Sequence, residues 1–196
     1  MRARCVAGFT LIELLVVIAI MGILIAVTLP SFTGMGRGSK MNAALLQVRT
    51  TLSLARQWAI THREETCVVF PEWANDTNKA YRAFAVYGSG TAGYLSPWNY
   101  LPDGVVFPTP GSGDIYTLGI LSNGLPGFSG AVRVLRFEPD GKAKWNAPFG
   151  GGSSFLNIYL TEGWVDASGA VEPRPNSYTN ELEINGLTGI ARYRSF

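Results

Sequence analysis

The chain has 196 residues, enough for one domain of ordinary size plus an appendage, and only 15% of them are charged, against a globular norm of about 25%. Sixteen basic and fourteen acidic residues give a net charge of +2 with no long basic run, so a dedicated nucleic-acid module is not the first expectation. One His and two Cys leave too few nitrogen and sulfur ligands for a structural zinc site, and 23 Gly with 11 Pro read as many tight loops rather than low complexity.

In chain order, the first feature is an apolar run. Residues 9–29 read FTLIELLVVIAIMGILIAVTL, with one charge, Glu13, and two Thr. As a helix this run is about 31 Å long, the thickness of a bilayer's hydrocarbon core. After Leu29 no window of similar length lacks charges and turn residues. The sequence therefore predicts one N-terminal membrane segment and a water-soluble remainder.

Three readings compete for this N-terminus. A secretory signal peptide fits the basic start, Arg2 and Arg4, but its apolar core runs about 7–15 residues and ends at a small-x-small site. Here the run is longer and ends in Thr28-Leu29-Pro30. A plain membrane anchor accounts for the length and leaves Glu13 unexplained. A carboxylate inside such a segment costs about 2.5–3.5 kcal/mol at the helix centre, and less near the helix start, where the dipole favours it.

The third reading accounts for both features. Gly8-Phe9-Thr10-Leu11-Ile12-Glu13, followed by the unbroken apolar run, resembles the processing signal of type IV prepilins and type II secretion pseudopilins. The resemblance implies a leader over 1–8, cleavage between Gly8 and Phe9 by a prepilin peptidase, N-methylation of Phe9, and an assembly role for Glu13. A positive amine freed at Phe9 can be neutralised by Glu13 of a neighbouring subunit. In low dielectric such a pair is directional and an unpaired charge is penalised, so the pair sets axial register between subunits. A contact within one chain is the alternative, since positions four apart share a helix face.

Processing changes the arithmetic. Loss of 1–8 removes Arg2, Arg4 and Cys5, leaving fourteen basic against fourteen acidic residues and Cys67 as the only thiol. No internal disulfide can then form. Cys5 precedes the apolar run, where a lipidated Cys would follow it. Orientation is nearly balanced by charge, with Arg2 and Arg4 on one side and Arg37 and Lys40 on the other. The resemblance places the leader in the cytoplasm and the C-terminal domain in the periplasm.

Gly22 and Pro30 interrupt the first helical pattern, and Gly34-Met35-Gly36-Arg37-Gly38 reads as a flexible break. Residues 39–61 return to helical spacing, with Met41, Leu45, Val48, Leu52, Ala55 and Ala59 as an apolar stripe and Ser39 or Asn42 as candidate caps. Within it, Leu52-Ser53-Leu54-Ala55-Arg56-Gln57-Trp58-Ala59-Ile60 is similar to the second half of the long helix in H-type (GspH/FimT-like) pseudopilins. Beyond Thr61 the period changes to two. Strands are predicted over 66–70, 80–87, 115–121, 131–138, 143–145, 155–161, 181–185 and 189–195. Pro139-Asp140-Gly141-Lys142 reads as a hairpin turn, and Asn185-Gly186 begins a tight connection. Phe137-Glu138-Pro139-Asp140-Gly141 resembles the hairpin phrase of the same H-type proteins. Residues 88–130 are loop-rich, a place where partner contacts sit.

These elements predict an α+β fold: a long N-terminal helix packed on a mainly antiparallel β-sheet, which the resemblance makes pilin-like. The expected parts are a leader over 1–8, a transmembrane and assembly helix over 9–30, the amphipathic half of the helix over 39–61, and a periplasmic β-rich domain over 62–196.

Catalytic chemistry is thin. Gly88-Ser89-Gly90-Thr91-Ala92-Gly93 satisfies G-x-G-x-x-G, but a dinucleotide site needs a helix starting there, and Pro97 and Pro102 forbid a long one. Gly150-Gly151-Gly152-Ser153-Ser154 lacks the Lys of a phosphate loop. His62, the only imidazole, sits beside Arg63 and Glu64 in a polar stretch and reads as a surface residue. Cys67 reads as a small buried apolar residue. Asp103, Asp114, Asp140 and Asp166 lie in loops without EF-hand spacing. No enzyme activity, cofactor or metal is expected.

Arg192 and Arg194 near the C-terminus share one strand face, with Tyr193 on the other. Some related minor pilins bind DNA through a basic C-terminal strand, typically with Gly-Arg-x-Arg. Here Ile190 and Ala191 separate Gly189 from Arg192, a departure from that pattern. The leading expectation is a minor pseudopilin or pilin of a type II secretion system or type IV pilus. It is anchored once in the bacterial inner membrane, with other subunits, prepilin peptidase and the inner-membrane assembly platform as partners. The alternative is a DNA-binding minor pilin for competence.

Overall fold

The computed structural model describes residues 10–72, 76–90, 93–108, 119–121, 125–126, 128, 132–145, 155–177 and 179–194, without the side chains of 27–35, 37 and 119–121. The chain divides into two compact units, Met1–Ser39 and Lys40–Phe196. One helix, α1 (Leu11–His62), contributes to both.

The helix corrects two expectations. It runs without interruption through Gly22, Pro30 and 34–38, so no flexible break is present and neither Ser39 nor Asn42 begins a second helix. A proline deletes one backbone hydrogen bond, whereas ending the helix there would strand about four carbonyls before the break and four amides after it. Gly36 and Gly38 face open space, since a Cβ added at either meets nothing within 4 Å. Each costs about 1 kcal/mol in propensity, which the long helix-forming runs on both sides outweigh.

In the second unit the helical stripe is the spine of the core. Met41, Leu45, Val48, Leu52, Ala55 and Ala59 are all buried, at 7% exposure or less. The helix ends after His62, where Arg63 takes the left-handed conformation (φ 54°) that turns the chain into the first strand.

Among the described residues twelve strands follow: β1 (Thr66–Phe70), β2 (Ala83–Gly88), β3 (Gly93–Tyr94), β4 (Asn99–Tyr100), β5 (Val105–Val106), β6 (Gly119–Leu121), β7 (Val132–Phe137), β8 (Ala143–Lys144), β9 (Phe155–Val165), β10 (Val171–Pro173), β11 (Thr179–Asn185) and β12 (Ala191–Arg194). They form two sheets rather than one. The first has the order β3-β2-β1-β7-β6, with β4 on β2 and β8 on β7. The second has the order β10-β9-β11-β12, with β5 on β9. Every pairing is antiparallel. A bond from Ala143 N–H to the Gly186 carbonyl (2.9 Å) links the two sheets at their hairpins.

The main core gathers the helical stripe with Val68, Phe84, Leu135 and Phe137 of the first sheet and Ile158, Leu160, Leu182 and Ile184 of the second. A second cluster lies on the first sheet: Cys67, Val69, Val132, Val134 and Leu125, partly covered by Tyr87, Trp98 and Phe128. From Cys67 to Phe70 successive residues of β1 feed the two clusters in turn, so both faces of the strand are buried.

Several strand bounds differ from expectation. Residues 77–82 form turns, with Tyr81 at φ 56°, so β2 begins at Ala83. Strand β9 continues to Val165 because β5 and β10 extend its pairing. Gly189 (φ 65°) belongs to the preceding turn, so β12 starts at Ala191. Of the strand expected over 115–121, the described part is Gly119–Leu121.

Candidate functional site

The N-terminal helix presents an unusual surface. Its large apolar side chains between Leu11 and Ile25 are exposed on every face, from Val17 at 40% to Leu11 at 81%. A helix apolar all round finds its place in lipid or among other helices. Among the described residues no helix is long and apolar enough to cross a membrane; in the sequence the apolar run continues to Leu29.

At the helix start the backbone and two side chains form a capping box. Thr10 lies just before the helix and Glu13 lies in its first turn. Glu13 Oε2 accepts from Thr10 N–H (2.9 Å) and from the Thr10 hydroxyl (2.8 Å), while Thr10 Oγ1 accepts from Glu13 N–H at 3.4 Å. The arrangement satisfies two amides that a helix start otherwise leaves bare, and it puts a carboxylate at the positive end of the helix dipole. Thr-x-x-Glu is legible in the sequence as a capping box, whereas the sequence reading set Glu13 against the helix dipole and the chain terminus and not against Thr10. Gly8 and Phe9, the expected cleavage and methylation residues, lie outside the described residues, as does the whole 1–8 segment.

The C-terminal arginines sit on the edge strand β12. In register, Arg192 faces Glu183 and Arg194 faces Glu181 of β11. Arg194 Nη1 donates to Glu183 Oε2 at 3.2 Å. Tyr193, on the other face, donates its hydroxyl to Asn180 Oδ1 at 2.9 Å. The basic residues therefore stand beside an acidic row.

The remaining candidates resolve into local structure. Gly88 pairs with Gly93 and Tyr87 with Tyr94, so both ends of the G-x-G-x-x-G segment lie in paired strands, and Thr91 and Ala92 lie outside the described residues. His62 stacks on Trp58 with ring centroids 3.9 Å apart. Cys67 is fully buried, and burial first, then the negative charge of Glu65, pushes its thiol up to about 11. Hydrogen bonding to Lys142 lowers the Asp140 carboxyl, and hydrogen bonding to Ser168 lowers that of Asp166. Asp114 and the glycine run at 150–152 lie outside the described residues. Among the described residues no group of three or more His, Cys, Asp or Glu is placed to hold a metal ion.

One structural residue was missed by sequence reasoning. Arg56, off the buried helical stripe, donates from Nε to the Thr188 carbonyl (2.6 Å) and to the Gly141 carbonyl (3.2 Å). It ties the helix to the β7–β8 and β11–β12 hairpins.

Comparison with known proteins bears on the N-terminus. Residues 3–29 match the family model described as the prokaryotic N-terminal methylation motif. No curated protein matches the chain in sequence. Among solved structures, the type IV minor pilin FimU of Pseudomonas aeruginosa is similar at 12% identity and a TM-score of 0.45, over 82% of this chain and 92% of that one. The chain carries the prokaryotic N-terminal methylation motif, which runs into a long helix followed by an antiparallel β domain, an α+β architecture.

Proposed function

We propose that this chain is a minor pseudopilin or pilin, a structural subunit of a type II secretion pseudopilus or a type IV pilus, of the H-type that its Leu52–Ile60 and Phe137–Gly141 phrases resemble. The observation that carries this reading is the methylation motif over residues 3–29, running into a helix that is apolar on every face and has Glu13 in its first turn. In this reading prepilin peptidase cuts between Gly8 and Phe9, Phe9 is N-methylated, and the subunit waits in the inner membrane with residues 62–196 in the periplasm. Its apolar residues, at roughly −0.5 kcal/mol each, hold the segment in lipid by about 10 kcal/mol. Extraction becomes feasible when other subunits' helices replace the lipid and the assembly platform supplies work. The neighbour's Glu13 then receives the amine of Phe9. The protein performs no catalysis of its own.

Intact mass and incorporation test the proposal together. The membrane-embedded product should lack residues 1–8 and carry one added methyl group. Glu13→Ala should insert and be processed normally yet be lost from sheared filaments. An intact Met1 in cells with a working peptidase, or wild-type filament levels of Glu13→Ala, would refute the reading.

A further inference from the structure

We propose that the end of the second unit where α1 enters it docks on the bilayer surface, with Trp164 among zwitterionic, amine-bearing headgroups; the inference rests on the membrane anchoring proposed above for residues 9–29. Lys40 begins this unit, and its Nζ donates to the Asp103 carbonyl at 3.3 Å. Gly163 N–H donates to the Gly104 carbonyl at 3.0 Å, which brings Trp164 beside Asp103. On its other side Trp164 pairs with Glu172 of β10. Trp164 is 53% exposed, and Tyr100, three residues before Asp103, is 51% exposed. Trp and Tyr side chains are apolar in the ring and polar at one edge, so they find their place at a lipid–water interface.

The occupant follows from the tether and the charges. Lys40 is eleven residues beyond Leu29, where the apolar run ends. That length reaches about 16 Å as helix and at most about 40 Å extended, so a chain anchored through 9–29 keeps this end of the unit near the headgroups in any conformation. The exposed charges here have both signs, Lys40 and Arg174 against Asp103 and Glu172. The side chains of Arg174, Asp103 and Glu172 make no hydrogen bond or ion pair among the described residues. A headgroup with a phosphate and an ammonium matches both signs: the cations take the phosphate, and the carboxylates take the ammonium, over which the indole face adds its own attraction. A purely anionic surface instead meets two carboxylates beside the tryptophan. Docked in this way, the unit rests on the membrane until extraction lifts it away.

The test uses the full chain isolated from membranes and reconstituted into vesicles of phosphatidylethanolamine with phosphatidylglycerol, or of phosphatidylglycerol alone, each with a trace of lipid bearing a nitroxide on its headgroup. Tryptophan emission of the wild type should be quenched on the mixed vesicles, and Trp164→Phe, a change at an exposed site, should lose that part of the quenching. Vesicles of phosphatidylglycerol alone should quench the wild type less, and Asp103→Asn with Glu172→Gln should remove the difference between the two compositions. Flotation of the same vesicles scores anchoring separately. A chain that fails to float sinks the proposed function together with this inference. A chain that floats while wild type and Trp164→Phe are quenched alike sinks this inference only, as does stronger quenching on the purely anionic vesicles. A benzophenone side chain placed at position 164 should label lipid in the native host; labelling of a protein instead would make this end a subunit contact and overturn the lipid assignment.

Discussion

Cys67 shows how one residue's surroundings set its chemistry. It lies in the second cluster with Val69, Val132 and Val134, and its Sγ is 4.0 Å from Ser89 Oγ. Burial, reinforced by the charge of Glu65, raises the thiol to about 11, well above the ordinary value near 8.5. The folded state thus holds its proton over a range where the unfolded state has released it. Stability from this group is fully present below about pH 8.5 and is lost as pH rises toward about 11, by about 2–3 kcal/mol over that window. Urea unfolding of wild type and Cys67→Ala between pH 8 and 11 should show a steeper decline for the wild type. Parallel curves would remove the account. Alkylation at pH 8 should likewise be slow until denaturant is added, since the thiolate is the reactive form.

Among the elements, two hairpins meet at a point where side chains do not fit. Gly141 and Gly189 both have positive φ, 84° and 65°, and a Cβ on Gly189 would lie 2.2 Å from the Gly141 carbonyl oxygen. Arg56 bonds across that same junction. Replacing Gly189 by Ala should cost at least about 2 kcal/mol, because a left-handed backbone and a backbone clash are added together. Arg56→Ala should cost about 1–3 kcal/mol, with Arg56→Lys recovering little, since the bonding nitrogen Nε is lost. Chemical denaturation measures both, and an Arg56→Lys variant as stable as the wild type would count against the junction.

The local parts of this junction were legible in the sequence. Pro139-Asp140-Gly141-Lys142 and Asn185-Gly186 marked the two turns, and the Asn185 side chain does accept from the amides of Leu187 and Thr188, at 2.9 and 3.0 Å. What escaped was their meeting. Turn chemistry is written in adjacent residues, whereas the approach of Gly141 to Gly189 depends on how two sheets pack on one helix. The same limit explains the misplaced helix break. Gly and Pro are local signals, and the cooperativity of a 52-residue helix overrode them. At the N-terminus the Gly-Phe-Thr-Leu-Ile-Glu segment was legible because its chemistry is contiguous. The Thr10 bonds to Glu13 are equally local, written in Thr-x-x-Glu.

The whole molecule bears on what it can attract. The proposed cleavage would remove Arg2 and Arg4, leaving fourteen basic residues to balance fourteen acidic ones. The cationic pair on β12 adds little field, because Arg194 is bonded to Glu183 and the acidic row of β11 runs alongside. Binding to a duplex releases counterions for each phosphate neutralised, so affinity needs several unpaired cations acting together. Two arginines beside two glutamates give a salt slope of about −2 at most and a contact too weak to hold DNA at physiological ionic strength. Full-length processed protein in detergent micelles, titrated onto a labelled duplex at about 50 mM salt, should show no retention at low micromolar concentration. Arg192→Ala with Arg194→Ala should leave that result unchanged, and Glu183→Gln, which removes one negative charge from beside the arginines, should raise retention. Salt-sensitive retention of the wild type that disappears with the two arginines would instead make β12 a DNA-binding strand and favour a role in DNA uptake over a purely structural one.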